Sequence, residues 1–192
     1  PVRFTPLMVD VWLNLAYQTL KGKMKFEGIY TPIVTPYDDN HGINYDAIEV
    51  IIEDLISSGV HGLVVAGTTG EYYSQEKDER LQLMKTCKEV IGNRLPFVVG
   101  TGAIRTEDSV FFAEEAAKVG ADAILVSTSP YALPTERENA LHALAIDRAA
   151  NLPIMLYNYP GRTGAMMGAE YLDRVARSSN FCAIKESSGD ID

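Results

Sequence analysis

Residues 121–158 read ADAILVSTSPYALPTERENALHALAIDRAANLPIMLYN. The runs ADAILVS and PIMLYN are rich in β-formers and almost wholly apolar, the pattern of strands covered on both faces. Between them, TERENALHALAIDRAA has helical period. Strand, helix and strand in succession predict a parallel unit with a helical crossover.

The same alternation runs along the rest of the chain. Further strand runs are GIYTPIVTP, HGLVVAG, PFVVG and FCAIK. In NYDAIEVIIEDLISSG, Ile48, Ile51, Ile52, Leu55 and Ile56 form one apolar stripe, with Asn44 as the cap and Gly59 as the stop. In SQEKDERLQLMKTCKEVIG, Leu83, Cys87, Val90 and Ile91 line up, which makes Cys87 a core residue. TEDSVFFAEEAAKVG repeats the theme. Strands alternating with helices predict an α/β fold with a parallel sheet. A doubly wound sheet would carry a Gly-rich phosphate fingerprint, and GTGAIRTEDS lacks its spacing. Polar, chemistry-bearing residues stand at the C-terminal ends of successive strands, which favours a (β/α)8 TIM barrel with its site on that face. A complete barrel needs about 250 residues. The six strand runs therefore predict about six βα units, a barrel truncated at its C-terminal side. Its unpaired edges would make the isolated polypeptide fold poorly or aggregate.

Composition narrows the partners. The 192 residues are 46% hydrophobic, and 17 Lys and Arg against 26 Asp and Glu give a net charge of −9. That balance argues against a nucleic-acid or anionic-membrane surface, which needs clustered cations. A small anionic ligand remains compatible. Cys87 and Cys182 form no CxxC pair, and His41, His61 and His142 lack metal-ligand spacing. No metal and a cytoplasmic setting are the expectation. Residues Pro1–Lys23 are broken by Asp10, too short to span a membrane and without an initiating Met. They read as a leader, translated upstream sequence, with the barrel domain at 24–192. A natural extension that packs on a partner subunit is the alternative.

Strand alternation makes a sharper statement about the tips. In FCAIK, Phe181, Ala183 and Lys185 share one face, opposite Cys182 and Ile184; in PIMLYN, Met155 and Tyr157 share one. If the branched residues face the helices, Lys185 and Tyr157 both point inward. A desolvated lysine amine can attack a ketone to form a Schiff base, and a nearby phenol can shuttle the protons. In AGTTGEYYS, Gly67 and Gly70 bracket Thr68 and Thr69, so backbone N–H groups can converge on a carboxylate. An ordinary glycine turn before a helix capped by Ser74 is the plain alternative. Arg162, in YNYPGRTG, is either a surface arginine or a guanidinium that grips a second carboxylate. Together these groups describe a site for an α-keto acid.

GTTGE, YNYPGRTG and IKESSGD, in that order, resemble the dihydrodipicolinate synthase/N-acetylneuraminate lyase family of Schiff-base class I aldolases. GIYTPIVTPYDDNHGINYDAI and GTGA fit the same pattern, so the resemblance covers residues 24–192. It implies a tetrameric (β/α)8 barrel that condenses or releases pyruvate with an aldehyde through a lysine imine, without metal or organic cofactor. It implies Lys185 as the Schiff-base lysine, Tyr157 as the proton-shuttling phenol and Thr68 as its relay partner. Thr69 and Gly67 would hold the pyruvate carboxylate, and Arg162 the aldehyde's carboxylate, as in the synthase branch. A departure lies in SPYALPTERE, where Tyr131 stands before Ala132 instead of a second tyrosine. Tyr131 aligns with either family tyrosine, so an intersubunit relay is intact or broken. A broken relay would suit a sugar-acid aldolase or dehydratase, or a keto-acid-binding homologue without turnover.

Overall fold

The computed structural model describes residues 24–190. The expectation for a leader at residues 1–23 lies outside the described residues. Six strands alternate with helices: β1 (Tyr30–Pro32), α1 (Tyr45–Ser57), β2 (Gly62–Val65), α2 (Lys77–Ile91), β3 (Phe97–Gly100), α3 (Thr106–Val119), β4 (Ala123–Ser127), α4 (Glu136–Ala150) and β5 (Ile154–Asn158). Two short helices, α5 (Pro160–Thr163) and α6 (Ala169–Val175), precede β6 (Phe181–Glu186). Every neighbouring strand pair is parallel, in the order β1-β2-β3-β4-β5-β6. The sheet is curled: Tyr30 and Pro32 of β1 line one groove with Ala183 and Lys185 of β6. Six units of a (β/α)8 barrel are thus present.

Local sequence explains the helices. The Asn44 side chain accepts the Ala47 N–H at 3.0 Å, satisfying one orphan donor of α1. Gly59, at φ 78°, lies just past the C-terminal end of α1 in the left-handed region that glycine tolerates. Ile48 and Ile52 are fully buried, while Ile51, Leu55 and Ile56 are partly covered. The second helix differs from expectation. Ser74 does not cap it; Ser74 closes a 3₁₀ turn at Tyr72–Ser74, and α2 starts later with a Glu76–Glu79 capping box. Cys87 packs in the core, where burial pushes its thiol up to about 12.

Two apolar layers flank the sheet. Leu63, Val65, Phe97, Val99, Ile124, Val126, Ile154 and Leu156 pack outward against the helices. Val64, Val98, Leu125 and Tyr157 pack inward, with Met155 against them. The period-2 alternation therefore holds through β2–β5. It fails at one place. Ile154 pairs with Phe181, but Met155 pairs with Ala183, so Cys182 is an extra residue in β6. The bulge turns Phe181 to the outer layer, away from the face of Lys185 where simple alternation places it. Ala183 and Lys185 keep the inward side.

Gly100 ends β3 where the chain passes close to the tip of β2. A Cβ there would lie 2.3 Å from the Ala66 carbonyl oxygen, a backbone atom that cannot rotate away. Gly100→Ala is expected to lower stability by about 1–3 kcal/mol, the usual cost of overpacking. Urea unfolding of the variant against wild type measures it.

Candidate active site

β5 and β6 bring the amine and the phenol together. Tyr157 pairs with Lys185 in the ladder, and the Lys185 Nζ stands 4.1 Å from the centre of the Tyr157 ring. The amine thus lies over the ring face, a cation–π contact. Burial lowers the Lys185 pKa, against a smaller upward pull from Tyr159. Desolvation disfavours the ammonium, so more of the amine is neutral at a given pH. Burial also pushes the Tyr157 phenol up; hydrogen bonds with the Thr68 and Ser187 hydroxyls act against that rise. The phenol stays protonated through the neutral range and is ready to donate.

Around the phenol lies a cavity of about 250 Å³ whose wall includes Thr68, Tyr72, Tyr73, Tyr157, Tyr159 and Arg162. The structure therefore gathers Thr68, Tyr157 and Arg162 at one place. Lys185 lines the adjoining interior groove of about 440 Å³, with Val64, Leu125 and Met155. Tyr157 lines the first space and Lys185 the second, and the 4.1 Å contact of amine and ring joins them. A wider groove of about 1080 Å³ lies at the opposite end of the strands, among Asp122, Asp147, Arg148 and Arg177, away from these residues.

The loop after β2 is tightly turned. Ala66 takes φ 53° and Glu71 φ 55°, left-handed conformations that cost energy for residues with a Cβ. The Gly70 and Glu71 N–H groups donate to the Gly67 and Thr68 carbonyls at 3.1 Å each. Those two bonds close the turn on itself, with Thr68 and Thr69 between the bonded groups. Thr69 is exposed and Gly67 is buried beneath it. Arg162 is exposed at the cavity rim, its guanidinium 5.6 Å from the Tyr159 ring centre. A hydrogen bond with the Tyr159 phenol raises its pKa and keeps it cationic. Tyr131 is not brought to this site: it is 89% exposed, at φ 71°.

Several residues at the site carried no reading from sequence. Tyr159 and Ser187 follow Tyr157 and Lys185 by two positions, so the alternation that placed the first pair also reaches the second. Arg80 had no such signal. It is buried, donates to the Gly102 carbonyl at 2.9 Å and to that of Gly100, and stacks on Phe112 and Tyr72. Burial lowers its pKa to about 9. It ties the end of β3 to Tyr72 in the cavity wall. Among the described residues, no group of His, Cys, Asp or Glu is placed to hold a metal ion. No described helix is long and apolar enough to cross a membrane.

Known proteins resemble this chain in sequence and in fold. The 4-hydroxy-tetrahydrodipicolinate synthase of Bacillus velezensis is 38% identical over 170 residues, covering 88% of this chain and 58% of that protein. The enzyme of the same name from Bacillus subtilis is 38% identical over 171 residues, covering 88% and 59%. The chain thus spans less than two thirds of the length of these relatives. Among solved structures, the dihydrodipicolinate synthase of Acinetobacter baumannii, complexed with pyruvate, superposes with a TM-score of 0.83 at 35% identity. That match covers 86% of this chain and 57% of the other. The Thermotoga maritima synthase gives 0.81 at 34% identity, covering 87% and 57%. The model of the Dihydrodipicolinate synthetase family matches residues 25–192, from ahead of β1 to the end of the sequence. With the parallel curled sheet and its strand-tip residues in register, the chain belongs to the dihydrodipicolinate synthetase family.

Proposed function

We propose that this protein is a pyruvate-dependent lyase that works through a lysine imine, most like a 4-hydroxy-tetrahydrodipicolinate synthase. The observation that carries the reading is the amine of Lys185 held over the Tyr157 ring from the paired position of the next strand. The amine attacks the ketone of pyruvate, Tyr157 moves the protons, and the iminium acidifies the adjacent methyl group. The resulting carbon nucleophile adds to an aldehyde. Thr68 shares a hydrogen bond with the phenol, and Thr69 and Gly67 form the carboxylate end of the pyruvate site. No metal or organic cofactor takes part. The test is borohydride reduction with pyruvate, followed by peptide mass analysis and an assay against a panel of aldehydes. An adduct at Lys185 with aldehyde consumption is expected; no adduct would refute the mechanism.

Arg162 would receive the carboxylate of the aldehyde. Arg162→Ala is expected to raise KM for a carboxylated aldehyde roughly 10- to 100-fold, the loss of one charge-assisted hydrogen bond. The rate of pyruvate adduct formation should be unchanged. Steady-state kinetics beside single-turnover trapping separates the two. A sugar-acid aldolase is the second reading, favoured by the four phenols of Tyr72, Tyr73, Tyr157 and Tyr159 around the cavity, which suit a polyhydroxylated acceptor. The same aldehyde panel divides the readings.

A homo-oligomer, a tetramer in its complete form, is the proposed assembly. Its support is apolar surface: Tyr73, Ile104, Tyr131 and Leu133 are exposed, and the Ser129 hydroxyl ties the 129–134 loop to the Ile104 carbonyl at 2.7 Å. Exposed apolar groups set side by side mark association surfaces.

A further inference from the structure

A phenol that gives up a proton during dehydration must be reloaded. Tyr131 stands in solvent and away from its own chain's cavity, but another hydroxyl lies within the chain. Glu186 turns outward from the end of β6 and accepts from Asn158 Nδ2 at 2.8 Å and from the Ser188 N–H at 2.6 Å. Alternation returns the next residue, Ser187, to the face that carries Lys185. The Ser187 N–H donates to the Asn158 carbonyl at 2.9 Å, extending the β5–β6 ladder one step past Glu186. Ser187 is thus pinned on both sides, one step beyond the pair of Lys185 and Tyr157. Its hydroxyl and that of Thr68 are both hydrogen-bond partners of the phenol, one from the loop after β2 and the other from just beyond β6.

We propose that Ser187 is the proton-relay partner of Tyr157, so that Thr68, Tyr157 and Ser187 form a chain of hydroxyls inside a single copy of this protein. The proposal rests on the Schiff-base reading above. In the addition step the neutral Lys185 amine forms the C–N bond to the ketone carbon, and the carbonyl pair moves to oxygen. The ammonium proton passes to that oxygen through Tyr157. In dehydration the nitrogen lone pair forms C=N and expels the hydroxyl, which takes the Tyr157 proton and leaves as water. Ser187 then reprotonates the phenolate as it takes a proton from solvent. The two steps together consume one proton and release one water. Ser187 acts through Tyr157 and does not touch the substrate.

The test uses the protein expressed from its complete gene, with S187A, the hydroxyl-retaining S187T, and Y131F for comparison. Two quantities are read: the rate of borohydride-trapped pyruvate adduct at Lys185 as a function of pH, and the titration of the Tyr157 phenol by NMR with labelled tyrosine. S187A is expected to slow adduct formation roughly 10- to 100-fold, less than the loss of a whole acid–base group. KM for pyruvate should hold, the pH profile should shift, and the phenol should titrate higher because its phenolate has lost a donor. S187T should restore both, and Y131F should cost less than S187A. A phenol titration unmoved by S187A overturns the proposal whatever the rates. So does wild-type speed in S187A beside a large loss in Y131F, which would place the relay in a neighbouring copy. If wild type forms no adduct at all, the Schiff-base reading fails, and the titration alone decides whether Ser187 serves the phenol.

Discussion

Lys185→Met is expected to abolish the pyruvate adduct and to lower turnover by more than about 10³-fold, because the proposed imine forms on this amine and a thioether cannot replace it. Methionine retains a flexible apolar stem that fills the groove beside Val64 and Met155, so the fold should survive. Stability should in fact rise near neutrality. Burial lowers the Lys185 pKa from 10.5, so between its folded value and 10.5 the unfolded chain binds more protons than the folded one. Stability of wild type therefore climbs with pH across that window, and below it the full penalty of holding the ammonium is present. Methionine removes that penalty. Thermal melts of both proteins across pH should converge at the alkaline end and separate below it. Adduct formation in wild type should likewise reach its plateau at a lower pH than for a free lysine, since the reactive form is the neutral amine. An adduct retained in the variant, mapped to another residue, would move the chemistry elsewhere.

Tyr157→Phe is expected to slow adduct formation by about 10²- to 10⁴-fold, the usual contribution of a positioned acid–base group. The substitution separates the two jobs of the residue. The ring remains beneath the Lys185 amine, and the apolar packing with Val64, Val98 and Leu125 is retained. Only the hydroxyl is lost, and with it the link to Thr68 and Ser187. Pyruvate affinity should therefore change little while the rate falls. Rapid-quench borohydride trapping at several pyruvate concentrations reads both. A variant that traps pyruvate at the wild-type rate would remove the phenol from the chemistry.

Much of this site was legible in the strand periodicity. Side chains two apart share a face whatever lies around them, so Met155 with Tyr157 and Ala183 with Lys185 could be oriented from the sequence. Tyr159 and Ser187 obeyed the same rule and could have been found with it. Cys87 was assignable because its helical neighbours Leu83 and Ile91 recur at the period of a buried stripe. Phe181 escaped because a bulge is a property of two strands: nothing within FCAIK states that Cys182 lacks a partner opposite. Arg80 escaped for a similar reason, since its partners are carbonyls on another strand's loop.

The sequence by itself carried the family motifs, and it determined the parallel α/β alternation and the shared inward face of Lys185 and Tyr157, because those two are set by backbone geometry over a few consecutive residues. Only the tertiary structure decided that Lys185 lies over the Tyr157 ring and that Thr68 and Ser187, from two distant segments, both reach the phenol. It alone placed Tyr131 in solvent. Those relations depend on how strands register and where loops cross after the sheet curls. They arise between segments far apart in the chain, where local periodicity carries no information.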